Sequence, residues 1–169
     1  MILMIDVQYH LQGATAVAGL IKDWQSTQFD KTYTIDIKDV LDYQAGQFYQ
    51  RELPCILQLL DVIEEHYDYI IIDGYVFLSA EQSPGLGFHL WDALTIKKPI
   101  IGVAKNFFKD TPKNCEILRG KSQKPLFITS IGIDLIDAKQ NILKMSGEHR
   151  IPDLIKKVDS LTKQKGSID

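Results

Sequence analysis

No run in this chain approaches the ~18–20 consecutive apolar residues that a membrane-crossing helix requires, so a membrane-spanning helix is not expected. Cysteine is scarce. Cys55 and Cys115 are the only two, far apart and without metal-type spacing, which excludes a disulfide framework and a zinc cage built on thiols. Both read as free thiols, with Cys55 a small core residue inside an apolar helical run. The start, MILMIDVQYH, has no basic leader and is broken early by an aspartate, so it does not read as a signal peptide. The expected compartment is the cytoplasm. Internal repeats, low-complexity tracts and linkers are also missing, and one domain over residues 1–169 is expected.

A basic excess is lacking as well. The net charge is −3 and the isoelectric point is near 5.8, unlike a dedicated high-affinity nucleic-acid binder. The cations are nevertheless uneven. Lys97, Lys98, Lys105, Lys109, Lys113, Arg119, Lys121 and Lys124 fall in one third of the chain, enough for either a solvated face or a local phosphate track.

What is present is a clear change of period. Ile2 to Val7 is a short apolar run with the character of a buried strand, and Ala14 to Lys22 is a second strand. From Lys31 to Lys38, Tyr33, Ile35 and Ile37 alternate with polar residues, the period of two that marks a third. The spacing of Ile56, Leu57, Leu59, Leu60 and Ile63 then predicts an amphipathic helix from about Phe48 to Tyr67. Further strands are expected at Tyr69 to Ile72, Pro99 to Ala104 and Leu126 to Ser130, with a helix from Gly85 to Leu94. The remainder reads as helical, broken near Ser146-Gly147 and resumed around Pro152, with a frayed tail from Lys163. A three-strand meander followed by alternating helix and strand predicts an α/β fold, a mixed sheet flanked by helices.

Two carboxylates stand out in this pattern. Asp6 and Asp73 each follow an apolar strand, where a sheet opens to solvent. If those strands are parallel neighbours, the carboxylates converge, and a divalent cation relieves their repulsion. Mg²⁺ suits such a pair, since it needs few protein ligands and also binds phosphate. Glu52, on the long helix, is a third candidate. Each alone is equally consistent with a solvated turn or a helix-dipole contact.

Longer motifs add specificity when read together. Asp6-Val-Gln-Tyr9, Tyr43-Gln-Ala-Gly46 followed by Phe48-Tyr-Gln-Arg-Glu-Leu-Pro54, Ile71-Ile-Asp-Gly74, Gly85-Leu-Gly-Phe-His-Leu90, Pro99-Ile-Ile-Gly-Val-Ala-Lys105, Leu118-Arg119, Lys124-Pro-Leu126 and His149-Arg-Ile-Pro152 occur in this order. The series resembles the endonuclease V family nearly end to end, without that family's usual N-terminal helical extension. The resemblance implies an RNase H-like fold and hydrolysis of a phosphodiester near a deaminated base, typically inosine, in DNA or RNA, by a monomer using Mg²⁺ or Mn²⁺. It implies that Asp6, Asp73 and Glu52 surround the metal and that Lys105 contacts phosphate. Tyr43 and Gly46 would lie in a strand-separating wedge, and Arg119 would join the nucleic-acid face. The family's D-G-H-G becomes Asp73-Gly-Tyr-Val76 here. Its late G-H-R-I-S segment aligns with Gly132 to Ile136, putting Ile133 where an active-site histidine is expected and making Asp134 the candidate substitute. These departures keep a second expectation open: a non-catalytic nucleic-acid-binding relative.

Overall fold

The computed structural model describes residues 1–40, 42 and 48–164. Seven strands form one mixed sheet: β1 (Ile2–His10), β2 (Gly13–Ile21), β3 (Lys31–Ile37), β4 (Tyr69–Asp73), β5 (Ile100–Ala104), β6 (Glu116–Ile117) and β7 (Leu126–Ile131), in the spatial order β3-β2-β1-β4-β5-β7-β6. The helices are α1 (Phe48–Asp61), α2 (Leu86–Ala93), α3 (Leu135–Lys144) and α4 (Asp153–Lys163). The expected meander is present, because β1, β2 and β3 pair antiparallel in sequence order. The central strands β1, β4 and β5 run parallel, and their near-continuous Ile, Leu and Val content suits strands buried on both faces.

Strand parity divides the core. Leu3, Ile5, Val7, Ile70 and Ile72 pack on one face with Cys55, Ile56 and Leu59 of α1 and Leu90 of α2. Ile2, Met4, Ile71 and Ile101 pack on the other with Ala138 and Ile142 of α3 and Leu154 and Val158 of α4. Two sequence expectations shift. The long helix ends at Asp61 instead of Tyr67. A 20-residue helix would run about 30 Å, too far for a chain that must turn back into β4. The connecting residues are held instead at the sheet edge, where Glu65 accepts from Tyr33 Oη at 2.6 Å and pairs with Lys31 at 2.8 Å. Nothing in the residue pattern signalled β6, a two-residue strand whose pairing with β7 is its whole definition.

Close backbone approach shapes the site end of β4. Gly74 has φ +130°, a conformation that glycine adopts without strain. A Cβ on Gly102 would stand 2.5 Å from the Gly74 carbonyl oxygen and 2.8 Å from Thr129 Oγ1. Thr129 Oγ1 accepts from the Val76 N–H at 2.8 Å, so the turn that follows Asp73 is clamped against β5 and β7.

Candidate active site

The parallel register of β1 and β4 pairs Ile5 with Ile72, so the next residues, Asp6 and Asp73, lie side by side at the same edge of the sheet. They share the parity of Met4 and Ile71, which places both on the face covered by α4. Asp6 is buried, at 7% exposure. Glu52 comes from α1 on the opposite face and reaches the cluster around the sheet's end. Its helix is seated there by motif residues: the Arg51 guanidinium lies 3.7 Å from the centre of the Tyr9 ring on β1, and Tyr49 stacks on His89 of α2 at 3.6 Å. Lys105, directly after β5, brings its ammonium to 3.8 Å from Asp73 Oδ2.

The structure adds a fourth carboxylate that sequence reading missed. Asp159 on α4 lines a recess with Asp6, Asp73 and Lys105. Its neighbour Thr162 donates to the Asp159 carbonyl at 2.6 Å and stands 3.4 Å from Asp6 Oδ2. Little in the sequence pointed to it: Lys156 and Lys163, three residues before and four after, share its helix face, so Asp159 reads as half of an exposed ion pair with Lys163. Asp134 does not play this part. It sits at the N-cap position of α3, after the end of β7, which runs antiparallel to β5 and pairs Ile131 with Ile100. That is the opposite edge of the sheet from Asp73.

The cluster is electrostatically overcrowded. Burial, then the Asp73 and Asp159 carboxylates, push Asp6 up to about 7. Burial, then Asp6 and Asp73, push Glu52 up to about 8. Burial likewise raises Asp73, against the opposing pull of Lys105. Asp159 is lowered: burial acts upward on it, but Lys163 at 3.0 Å, Lys105 and a hydrogen bond from Asp6 prevail. Asp6 therefore holds its proton more tightly than an ordinary aspartate, the usual outcome when like charges crowd a low-dielectric site.

An all-oxygen donor set with surplus negative charge has the chemistry of a hard divalent cation site. Among the described residues, no group of three or more His, Cys, Asp or Glu side chains is arranged to hold a metal by itself. A cation that takes one or two carboxylates, keeps waters and uses substrate phosphate fits Asp6 and Asp73 without such a cage. Next to them lies a pocket of about 390 Å³ lined by Glu52, Asp73, Gly74, Tyr75, Leu86 and Phe108 among others. Tyr75, standing where the family has histidine, forms one wall.

Arg119 does not join the nucleic-acid face expected of it. It is 5% exposed and donates to the carbonyls of His149 at 2.6 Å, Met145 at 2.7 Å and Gly147 at 3.3 Å, tying down the connection from α3 to α4. Arg119→Met should cost about 2–4 kcal/mol, because carbonyls lose their donor inside the protein. Urea denaturation checks this, and an unchanged midpoint would refute the clamp. Tyr43 and Gly46, expected in the wedge, lie outside the described residues. No helix among the described residues is long and apolar enough to cross a membrane.

Comparison with known proteins agrees with this architecture. The family model described as Endonuclease V matches residues 1–130. The chain is 31% identical to the endonuclease V of Pyrococcus abyssi over 98% of its own length and 80% of that protein's. With the Pyrococcus horikoshii endonuclease V the identity is 30%, over 94% of this chain and 71% of the relative. A crystal structure of Ciona intestinalis endonuclease V, in complex with a 24mer DNA containing an inosine followed by a ribo-adenosine, shares the fold with a TM-score of 0.81. It is 18% identical, with 97% of this chain and 84% of that one covered. On the family match, the sequence identity and the shared mixed sheet, this chain belongs to the endonuclease V family.

Proposed function

We propose that the protein is a metal-dependent endonuclease that hydrolyses a phosphodiester beside a deaminated base, inosine, in DNA or RNA. The observation that carries this reading is the meeting of Asp6, Asp73, Glu52 and Asp159 with Lys105 at one sheet edge, beside a pocket with room for a base. Solved relatives bound to inosine-containing DNA support the substrate class.

In this reading Asp6 and Asp73 hold Mg²⁺ or Mn²⁺, with Glu52 and Asp159 beside them. When bound, the metal supplies an acidified water and neutralises charge on the phosphate. Lys105 contributes a fixed ammonium for a phosphate oxygen, and its distance from Asp73 ties that contact to the reacting centre. Burial and the neighbouring carboxylates raise the proton affinity of Glu52, and positive charge entering the cluster would lower it again. The pocket walls, Tyr75 and Phe108, offer aromatic faces against which an extruded base would lie, and aromatic surface offsets the stacking lost on extrusion.

The test is cleavage of labelled single- and double-stranded oligonucleotides, with and without inosine, in Mg²⁺, Mn²⁺ and EDTA, with Asp73→Ala alongside. Nicking should require metal and inosine and fall below detection in the variant. Binding without any cleavage would favour a non-catalytic relative instead.

A further inference from the structure

The segment that follows Lys105 carries two adjacent phenylalanines that face different ways. Phe108 lines the pocket beside Asp73 and meets the Tyr75 ring at 6.3 Å. Phe107 turns away and remains 62% exposed. Leaving such a ring in water forgoes much of the stabilisation that its burial would bring. Its one ring neighbour among the described residues is Phe127 on β7, tilted at 60° with centroids 5.8 Å apart. That contact supports the ring without covering it.

The backbone beneath Phe107 is fixed. Tyr75 Oη donates to the Asn106 carbonyl at 2.6 Å and accepts from Thr111 Oγ1 at 3.4 Å, and Arg150 donates to the Lys105 carbonyl. The surroundings are cationic. Lys109 shares the segment, while Lys121 and Lys124 lie on the connection between β6 and β7. The pairing of Phe127 with both Ala104 and Glu116 brings that connection to the same sheet edge. These three lysines are exposed and form no ion pair among the described residues. Carboxylates share the neighbourhood as well, with Asp110 on the segment, Glu116 opposite Phe127 and Glu148 against Gly120, and the lysines outline a track between them.

We propose that Phe107 is a stacking platform for an unpaired nucleobase, placed so that a strand with one base in the pocket beside Phe108 lays a neighbouring base on Phe107 while its phosphates meet Lys109, Lys121 and Lys124. This rests on the nucleic-acid reading above and adds a contact to it. A positively charged track interleaved with an open aromatic face is the composition of single-strand binding. A protein interface instead tends to deplete lysine and needs about 800 Å² on each side. Phe107 and Phe108 are consecutive residues, so one strand crossing this segment can reach both rings.

Fluorescence anisotropy with a labelled single-stranded inosine oligonucleotide, in Ca²⁺ and in EDTA, tests this. Phe107→Ala should weaken binding roughly 5–150-fold and leave the salt dependence unchanged, since the ring carries no charge. Phe107→Trp should restore affinity, and Lys121→Ala should flatten the salt dependence. A Phe107→Ala protein that melts like the wild type and binds within twofold of it overturns the platform while leaving the nuclease reading intact. A wild-type protein that binds no oligonucleotide overturns both.

Discussion

An Asp6→Asn protein is expected to be more stable than the wild type at pH 8 in the absence of metal, and inert as a nuclease. The two effects have one cause. Asp6 is buried at 7% exposure and faces Asp73 and Asp159, so ionising it at pH 8 works against both desolvation and repulsion. A tenfold change in proton affinity is worth about 1.4 kcal/mol. The rise of Asp6 from 3.8 to about 7 therefore sets a ceiling of ~4 kcal/mol. The amide removes the charge but needs hydrogen-bond partners of its own, which leaves an expected gain of about 2 kcal/mol, or roughly 5 °C in Tm for a chain of this size. Cleavage should fall by roughly 10³-fold or more, since the neutral amide cannot offset a cation's charge. Thermal denaturation in EDTA and a nicking assay in Mg²⁺ give the two readouts. A variant less stable than the wild type at pH 8 would show that the carboxylate is not under strain.

The metal-free protein should also lose stability as the pH rises from about 4 to about 8, and a divalent cation should restore it. The direction follows from proton counting. Between its ordinary value of 3.8 and about 7, Asp6 keeps its proton in the folded protein but loses it on unfolding. Glu52 does the same between 4.5 and about 8. In that window the folded state binds more protons, so unfolding becomes easier with each step in pH, by up to about 1.4 kcal/mol per pH unit for each group. Above about pH 8 both are ionised and the penalty is complete. A cation compensates the same charges and displaces protons, so its affinity should climb with pH and level off near 8. Tm measured from pH 5 to 9 with EDTA or Mg²⁺ distinguishes the cases. A metal-free curve that is flat or rises across this range would refute the crowded-carboxylate reading.

Both predictions depend on residues that differed in how far the sequence could reveal them. Asp6 and Asp73 were legible because their signal is local: each follows an apolar run, and strand parity with Met4 and Ile71 gives the side chain its face. The Gly74 turn was legible for the same reason, whereas Lys105 at the end of β5 was singled out only by the family resemblance. Glu52 could be named as a candidate, but a glutamate near the start of any surface helix looks no different in sequence. Only burial, together with its approach to Asp6 and Asp73 around the sheet's end, raises its pKa.

Asp159 reads in sequence as one more charge on a lysine-rich helix, and Thr162 beside it reaches Asp6 across 156 positions. Asp134 resembled the missing fourth group until the antiparallel direction of β7 carried it to the far edge of the sheet. Arg119 sits in a basic third of the chain, where charge alone allows either a solvated face or a phosphate track and the family resemblance pointed to the second. Its guanidinium is instead engaged by carbonyls 26 to 30 residues away. Residue pattern was enough to say where most strands form and which carboxylates follow them, since period and polarity act over a few residues. Which helix closes over those carboxylates, and that Arg119 is spent on backbone carbonyls, was settled by packing, because the partners involved are distant in the chain.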